Sequence, residues 1–485
     1  MEHDAAPQRP FLYRLPAEMI QAILCESHDL KTLWSAILSC RWLCDVFSAN
    51  SSTIAARAFI NELDLYDVRP GAITALRSSK LASSSCQEVQ DFCTAYFQER
   101  SHGLSIRMTL DEVISASKLH ATVLWMTEDF VKRKLPVFEE VCKNSGSDTE
   151  TLMTQQPFEP SMSEKSRIMR SLYLTEAFFN IFQHTPKLST LEQRQCANDF
   201  LLTFSHWEVE QIACIHDYLY RLVAPSFNNM AAHDVSWGYF GVEPALCFCS
   251  RELQSILFNG LVFLGTLAKA KTYDQQSKLL GQGPFHKYRF CTLYRTLFTF
   301  HYERSDFHDD KSEQHATPPN FGKNRAFKPK DPSSRPGDEN DPDVSDFRDP
   351  RHYACKVKHP FFDDPDDGPF ILWKWAHDGW PLSMSVLHLH HSMLRKGGYV
   401  MWDRARLYGR GILYDDWEPV LRELVINLPD AVVYYERWRP SWQERSRIYV
   451  KGGRGWWDFG DESKIIWTRG RKSRPRIASM SAAEY

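Results

Sequence analysis

A mainly α fold is expected, made of an N-terminal three-helix unit, a helical body and a small α+β C-terminal part rich in tryptophan. Three observations carry that expectation. Apolar side chains recur at spacings of three and four from about residue 15 to 300, the period of a helix with one buried face. Ser/Thr-x-x-Glu boxes, which satisfy orphan backbone amides reciprocally, stand ahead of such stripes at Thr109–Glu112 and Ser205–Glu208. No internal period of 20 to 50 residues occurs, which sets aside propellers and solenoids.

Composition narrows the class. The chain has 485 residues, 43% hydrophobic and 25% charged, the proportions of a globular protein rather than a disordered, collagen-like or membrane-embedded one. Its 58 basic and 61 acidic side chains leave a formal charge of −3, hence no global attraction to nucleic acid or anionic lipid. The longest apolar run, Leu257 to Ala268, is about half of the ~20 residues that a helix needs to cross a bilayer. No membrane partner is expected. Met1 to Asp4 lacks the positive start of a signal peptide. The 12 cysteines, without regular spacing, are expected as reduced thiols, which places the chain in the cytoplasm and/or nucleus.

Six stretches follow in order. Residues 1–10 are polar and expected as a flexible N-terminus. Residues 11–50 are a compact apolar unit, 51–302 a helical domain, and 303–368 a Pro/Asp-rich insertion expected to be disordered or loosely ordered. Glu303 to Pro350 alone holds seven prolines, 12 acidic and 8 basic residues, too little apolar surface to offset chain entropy. Residues 369–468 form the tryptophan-rich α+β region. There, Ser383 to Leu394 is expected as a helix closed by Gly397 and Gly398, and Asp416 to Leu428 as a second helix stopped by Pro429. A hairpin is expected to pair Arg447–Val450 with Trp456–Phe459 around Lys451 to Gly455. Residues 469–485 form a basic tail.

The N-terminal unit is the most informative. Pro16 suits a first helical turn and Glu18 complements the positive end of the helix dipole. Met19, Ile20, Ile23 and Leu24 then recur at helical spacing. Asp29 can cap a second helix bearing Leu30, Leu33, Trp34, Ile37 and Leu38, and a third element runs from Cys40 to about Phe47. Of the 40 residues from Phe11 to Asn50, 24 are apolar, or 60% against 43% for the chain. So small a unit cannot hide that surface in its own interior. The surplus must pack on the rest of the chain or on another protein.

Leu15, Pro16, Glu18, Ile23, Leu24, Asp29, Leu30, Leu33, Cys40, Arg41 and Trp42 together resemble the F-box, over less than a tenth of the chain. Three further groups are similar to a broad set of fungal F-box proteins with uncharacterised C-terminal regions. They are Ser166 to Ile168 with Leu172, Tyr173, Phe178 and Phe179; Trp207 to Tyr218; and Gly398 to Leu407. That likeness brings no activity with it. The F-box resemblance implies docking on a Skp-type adaptor and, through it, a cullin-based ubiquitin ligase. The remainder would then present a protein substrate. Carried over by position, the adaptor contacts are Leu15, Pro16, Ile20, Ile23, Leu24, Leu30, Leu33 and Trp42. The alternative is an F-box-like scaffold acting outside a ligase. In either case the chain is expected to be non-catalytic, with no cofactor and no metal.

Other constellations carry weaker messages. His388, His390 and His391 do not share one helix face, and His352, Cys355, His359 and His377 lack a recognised zinc spacing. Cys247 and Cys249 are too close for a usual zinc pair. Asp363, Asp364, Asp366 and Asp367, like Asp415 and Asp416, are expected as solvated acidic loops rather than cation sites. Lys451 to Gly455 beside Trp456 and Trp457 could form an anion nest, with a glycine turn over a tryptophan core as the favoured reading. The basic residues from Arg469 to Arg476 fit a nuclear import signal or a solubilising end equally well. No nucleophile elbow, P-loop, zincin helix or dinucleotide turn is present.

Overall fold

Capping chemistry sets where the helices begin. Thr109 and Glu112 bond each other's backbone N–H at 2.8 and 3.3 Å, and Ser205 and Glu208 do the same. Ser161 with Glu164, Ser189 with Glu192 and Thr272 with Gln275 repeat the box at three starts that the sequence reading did not single out. A computed structural model describes residues 14–81, 85–102, 107–141, 159–183, 189–201, 204–245, 250–281, 293–299, 364, 366–377, 392–409 and 429–467. These are mainly helical, as expected, and the sheet among them has two strands.

In chain order the helices are α1 (Ala17–Cys25), α2 (Leu30–Ser39), α3 (Arg41–Ala49), α4 (Ser51–Leu65), α5 (Arg69–Ser78), α6 (Cys86–His102), α7 (Leu110–Val141), α8 (Met162–Gln183), α9 (Thr190–Leu201) and α10 (His206–His233). After α11 (Val235–Tyr239) come shorter helices to Thr299, then Gly368–His377, Ser392–Lys396, Arg404–Gly409 and the longer Pro429–Val450. Strands β1 (Gly453–Gly455) and β2 (Ile465–Trp467) pair antiparallel.

The chain divides into two compact units, but not consecutively. Met1–Tyr220, Leu257–Gly265 and Arg289–Leu424 form one; Arg221–Ile256, Thr266–Tyr288 and Val425–Tyr485 form the other. The expected boundaries near residues 50 and 368 are therefore corrected. α1 and α2 pack directly on α4, and α4 on α7, so the N-terminal trio is continuous with the helical body.

The centre of the first unit is α8. Sixteen of its 22 residues are buried, on every side of the helix. Its polar side chains must then be paired inside the protein. Arg167, 0% exposed, takes Asp364 through Nε (2.5 Å) and Nη2 (2.8 Å), and Asp403 through Nη1 (2.6 Å). Glu164 is gripped by Arg406 Nε and Nη2, both at 2.8 Å. Arg404 holds Asp367 at 2.9 Å, and Asp366 accepts the N–H groups of Gly368 and Arg404. So Asp364, Asp366 and Asp367 are not a solvated acidic loop. Asp364, Asp366 and Asp403 gather on Arg167 of a helix about two hundred positions earlier, and Asp367 joins their segment to Arg404. Trp402, expected as a core filler, is buried against Phe130 and Phe138 and donates to Gly397 O at 3.0 Å.

The second unit is smaller. Val235, Ile448, Trp457 and Ile465 form its core. The expected hairpin is shifted: Arg447–Val450 ends a helix, and the strands that pair are β1 and β2, with residues 456–464 between them. Gly453 is obligatory here, since an added Cβ would lie 2.5 Å from Ile448. Trp457 turns inward and Trp456 stacks on His233 at 3.8 Å, which leaves a core-facing turn rather than an open anion nest.

Cys196 is disulfide-bonded, a departure from the expectation of reduced thiols throughout, while Cys25, Cys44 and Cys214 are free. The expectations for residues 1–10, 303–363, 383–391, 416–428 and 469–485 lie outside the described residues. So do those for Cys247, Cys249, His352, Cys355, His359, His388, His390, His391, Asp363, Asp415 and Asp416.

Candidate functional site

Pro16 opens α1 by accepting the N–H groups of Met19 and Ile20 with its carbonyl. The helix then presents two apolar faces. Ile20 and Leu24, four apart, are buried; Met19 and Ile23, also four apart, are each 52% exposed. Asn61 of α4 closes the far end by donating to Cys25 O (2.9 Å) and Ser27 O (3.0 Å).

α2 repeats the division. Asp29 caps it by accepting from the Thr32 N–H at 2.5 Å, and these bonds hold its carboxyl below the usual range. Leu30, Leu33 and Ile37 face inward, whereas Trp34 and Leu38 are 39% and 83% exposed. Trp34 meets Phe47 of α3 edge-on at 5.5 Å, which orients the indole. In α3, Leu43, Val46 and Phe47 are buried and Trp42 is half-buried.

Of the eight expected contacts, Ile23 and Pro16 are exposed and Leu15 and Trp42 are half-buried. Ile20, Leu24, Leu30 and Leu33 are interior, a correction to their place in a contact list. The reason is α4: it lies along the inward side of α1 and α2, so those four side chains serve the chain's own core. Met19, Trp34 and Leu38 take their place at the surface. Their signal was present as a second apolar stripe on each helix, but periodicity alone does not say which stripe faces out.

Behind this unit lies a polar cluster around His120. Glu62 of α4 accepts the Leu30 N–H at 3.4 Å and stands 3.5 Å from His120 Nε2 of α7. His120 Nδ1 meets Tyr173 OH of α8 at 2.6 Å. Burial pushes His120 down to about 4 and raises Glu62, so the histidine is neutral near pH 7. The Leu30–Glu62 bond ties the start of α2 to α4, and the His120–Tyr173 bond ties α7 to α8.

Two further buried ion pairs of the first unit are closed, while buried Glu176 meets a backbone N–H, that of Leu261, rather than a cation. Glu210 takes Arg395 Nε at 2.6 Å and Nη2 at 3.2 Å, and burial still pushes it up to about 7 against that cation. Lys134 and Asp217 meet at 2.6 Å. Each charge of these two pairs has its partner within the fold, as an interior demands. Among the described residues no group of His, Cys, Asp and Glu is arranged to hold a metal ion, and no helix is long and apolar enough to cross a membrane. The exposed apolar stripes of α1 and α2 stand outside these internal pairings, as do Val450, Phe459 and Ile466 of the second unit. No family model, no curated protein and no solved structure matches this chain.

Proposed function

We propose that the outer stripes of α1 and α2 dock on a Skp-type adaptor and that the chain presents a protein to a cullin-based ubiquitin ligase. The observation that supports this reading is the pair of solvent-facing stripes, Met19 with Ile23 and Trp34 with Leu38, on helices whose inner faces are already satisfied. A monomeric protein leaves few such side chains grouped in the open unless a partner covers them. Pro16, Leu15 and Trp42 flank the stripes with partial exposure. The mechanism is proximity. A tethered substrate reaches a high local concentration beside the conjugating machinery, and this chain contributes no chemical step.

Pull-down on an immobilised Skp-type adaptor tests the reading. Wild type should be retained and Ile23→Glu/Leu38→Glu should lose at least about tenfold in affinity, the effect of removing interface anchors. Leu15→Ala/Pro16→Ala should lose less. Equal retention of all three would overturn the contact assignment. The alternative, a scaffold acting outside a ligase, draws support from the continuity of the trio with α4, which makes it no detachable module. Adaptor recovered without a cullin would favour that alternative.

A further inference from the structure

A second site is suggested in the other unit, on the helix Pro429–Val450. Arg445 there is 0% exposed. Its Nη1 donates to Ala231 O (2.7 Å) and Asp234 O (3.0 Å), and its Nε lies 3.4 Å from Ser441 O. Nη2 is sealed from solvent and has no partner. The same holds for Ser441 Oγ and for the indole N–H of Trp442.

These three groups lie within one helical turn. Ser441 and Arg445 are four apart and Trp442 and Arg445 three apart, spacings that bring side chains together on one helix face. Buried polar atoms in folded proteins nearly always have partners, so three orphans at one place require an explanation. All three can donate, and none is met by an acceptor of the protein. Asp234 does not supply one. Its carboxylate accepts instead from Ser236 Oγ (2.6 Å), the Trp237 N–H (2.9 Å) and Tyr273 OH (2.7 Å).

We propose that Arg445, Ser441 and Trp442 bind the carboxylate of a small organic acid. Nη2 of the guanidinium and the hydroxyl can each donate to one oxygen of a planar carboxylate, and the indole N–H supplies a third donor. The neighbouring Asp234 favours a monoanion over a phosphate dianion by simple repulsion. Trp442 is the half-buried member of the set, and Ser441 and Arg445 are buried. Gly238 keeps the guanidinium in place: an added Cβ would stand 2.5 Å from Arg445 Nε.

Acetate is the probe, with inorganic phosphate and chloride as comparators at matched ionic strength, on the full chain. Saturation transfer from protein to the acetate methyl protons, and the melting temperature, are both read. Wild type should show transfer and a melting temperature that rises with acetate, as binding to the native state alone requires. Ser441→Ala and Trp442→Phe should raise the half-saturating acetate concentration about tenfold, the loss expected for one hydrogen bond to a charged group. Arg445→Met should abolish the response. If that variant does not fold, the other two decide. No transfer to wild type, or equal responses in wild type and both conservative variants, would overturn the site and leave the donors to water. A stronger response to phosphate than to acetate would overturn the carboxylate assignment.

Discussion

Among the described residues two arginines are wholly buried, one in each unit, and their surroundings differ in every respect that matters to a charge. Arg167 sits among Asp364, Asp366 and Asp403 and also donates to a backbone carbonyl. Burial alone would lower its pKa, but the three carboxylates outweigh that and raise it. Arg445 has carbonyls and no directly bonded carboxylate, and burial pulls it down to about 10 despite the more distant Asp234. The first is an ionic clamp that joins segments remote in sequence. The second is a cation whose compensation is incomplete. A buried charge informs about function only when its account of partners fails to close.

The largest expected effect breaks this contrast at the clamp. Arg167→Met strands Asp364 and Asp403 without a cation and should destabilise the protein by about 3–5 kcal/mol. Arg445→Met loses its three bonds to carbonyls yet also removes an uncompensated charge, so its cost should stay near 1–2 kcal/mol, on the order of a net hydrogen bond or two. Urea denaturation of both variants at neutral pH reads the difference. Equal losses would mean that Arg445 is as well compensated as Arg167.

His120 supplies a third case, a buried base with no firm ionic bond. Its pKa falls from 6.5 to about 4 on folding, by burial. Between those values the unfolded chain binds the proton and the native one does not, so stability is complete above pH 6.5 and is lost as pH falls toward 4. The shift corresponds to about 3 kcal/mol. Glu176 and Glu210, both pushed up to about 7 by burial, act with the opposite sign. Comparison with His120→Gln isolates the histidine: wild type should lose about 3 kcal/mol more than the variant on acidification. Parallel pH profiles would show that His120 is not held neutral by the fold.

These long-range relations mark the limit of what the sequence could convey. Caps were legible, because Asp29, Thr109 and Ser205 act on amides two or three residues away. The helical stripes were legible for the same reason, and so was the closure at Gly398, which takes φ 65° as a glycine can. The partners of Arg167 were not, since 197 and 236 residues separate them and no local pattern records the pairing. Nor was β1, a three-residue strand with glycine at both ends, which lacks the branched and aromatic residues that announce strands. In the N-terminal unit the apolar surplus was legible, but the choice between Ile20 and Ile23 as the inward residue was not. Both lie on apolar stripes of α1, and only the position of α4 separates them.

A smaller effect sharpens the comparison around Arg445. Gly238→Ala would place a Cβ 2.6 Å from Arg445 Cβ and 2.7 Å from Cζ. Overpacking of that kind should cost about 1–3 kcal/mol. Shortening the side chain in Gly238→Ala/Arg445→Ala removes the contacts with Nε and Cζ and leaves only the one with Cβ. The double variant should then be more stable than the sum of the single losses implies, by the coupling expected of residues in contact. Strict additivity in thermal melts would show that the guanidinium moves aside freely, and the contrast with the fixed Arg167 would gain a geometric basis it now lacks.

The smallest effect on stability concerns the outer stripes. Ile23 and Leu38 meet solvent over 52% and 83% of their surface, so the native state gains little from their apolar atoms. Ile23→Glu and Leu38→Glu should each change unfolding free energy by no more than about 0.5 kcal/mol, as surface substitutions do. Ile20 differs only in facing α4, yet a glutamate there would bury a carboxylate without a partner and must be far costlier. Urea midpoints of the three variants separate the faces without any binding partner present. If Ile23→Glu were as damaging as Ile20→Glu, the outer stripe would belong to the chain's own interior in solution. The surface left for an adaptor would then be too small to hold one.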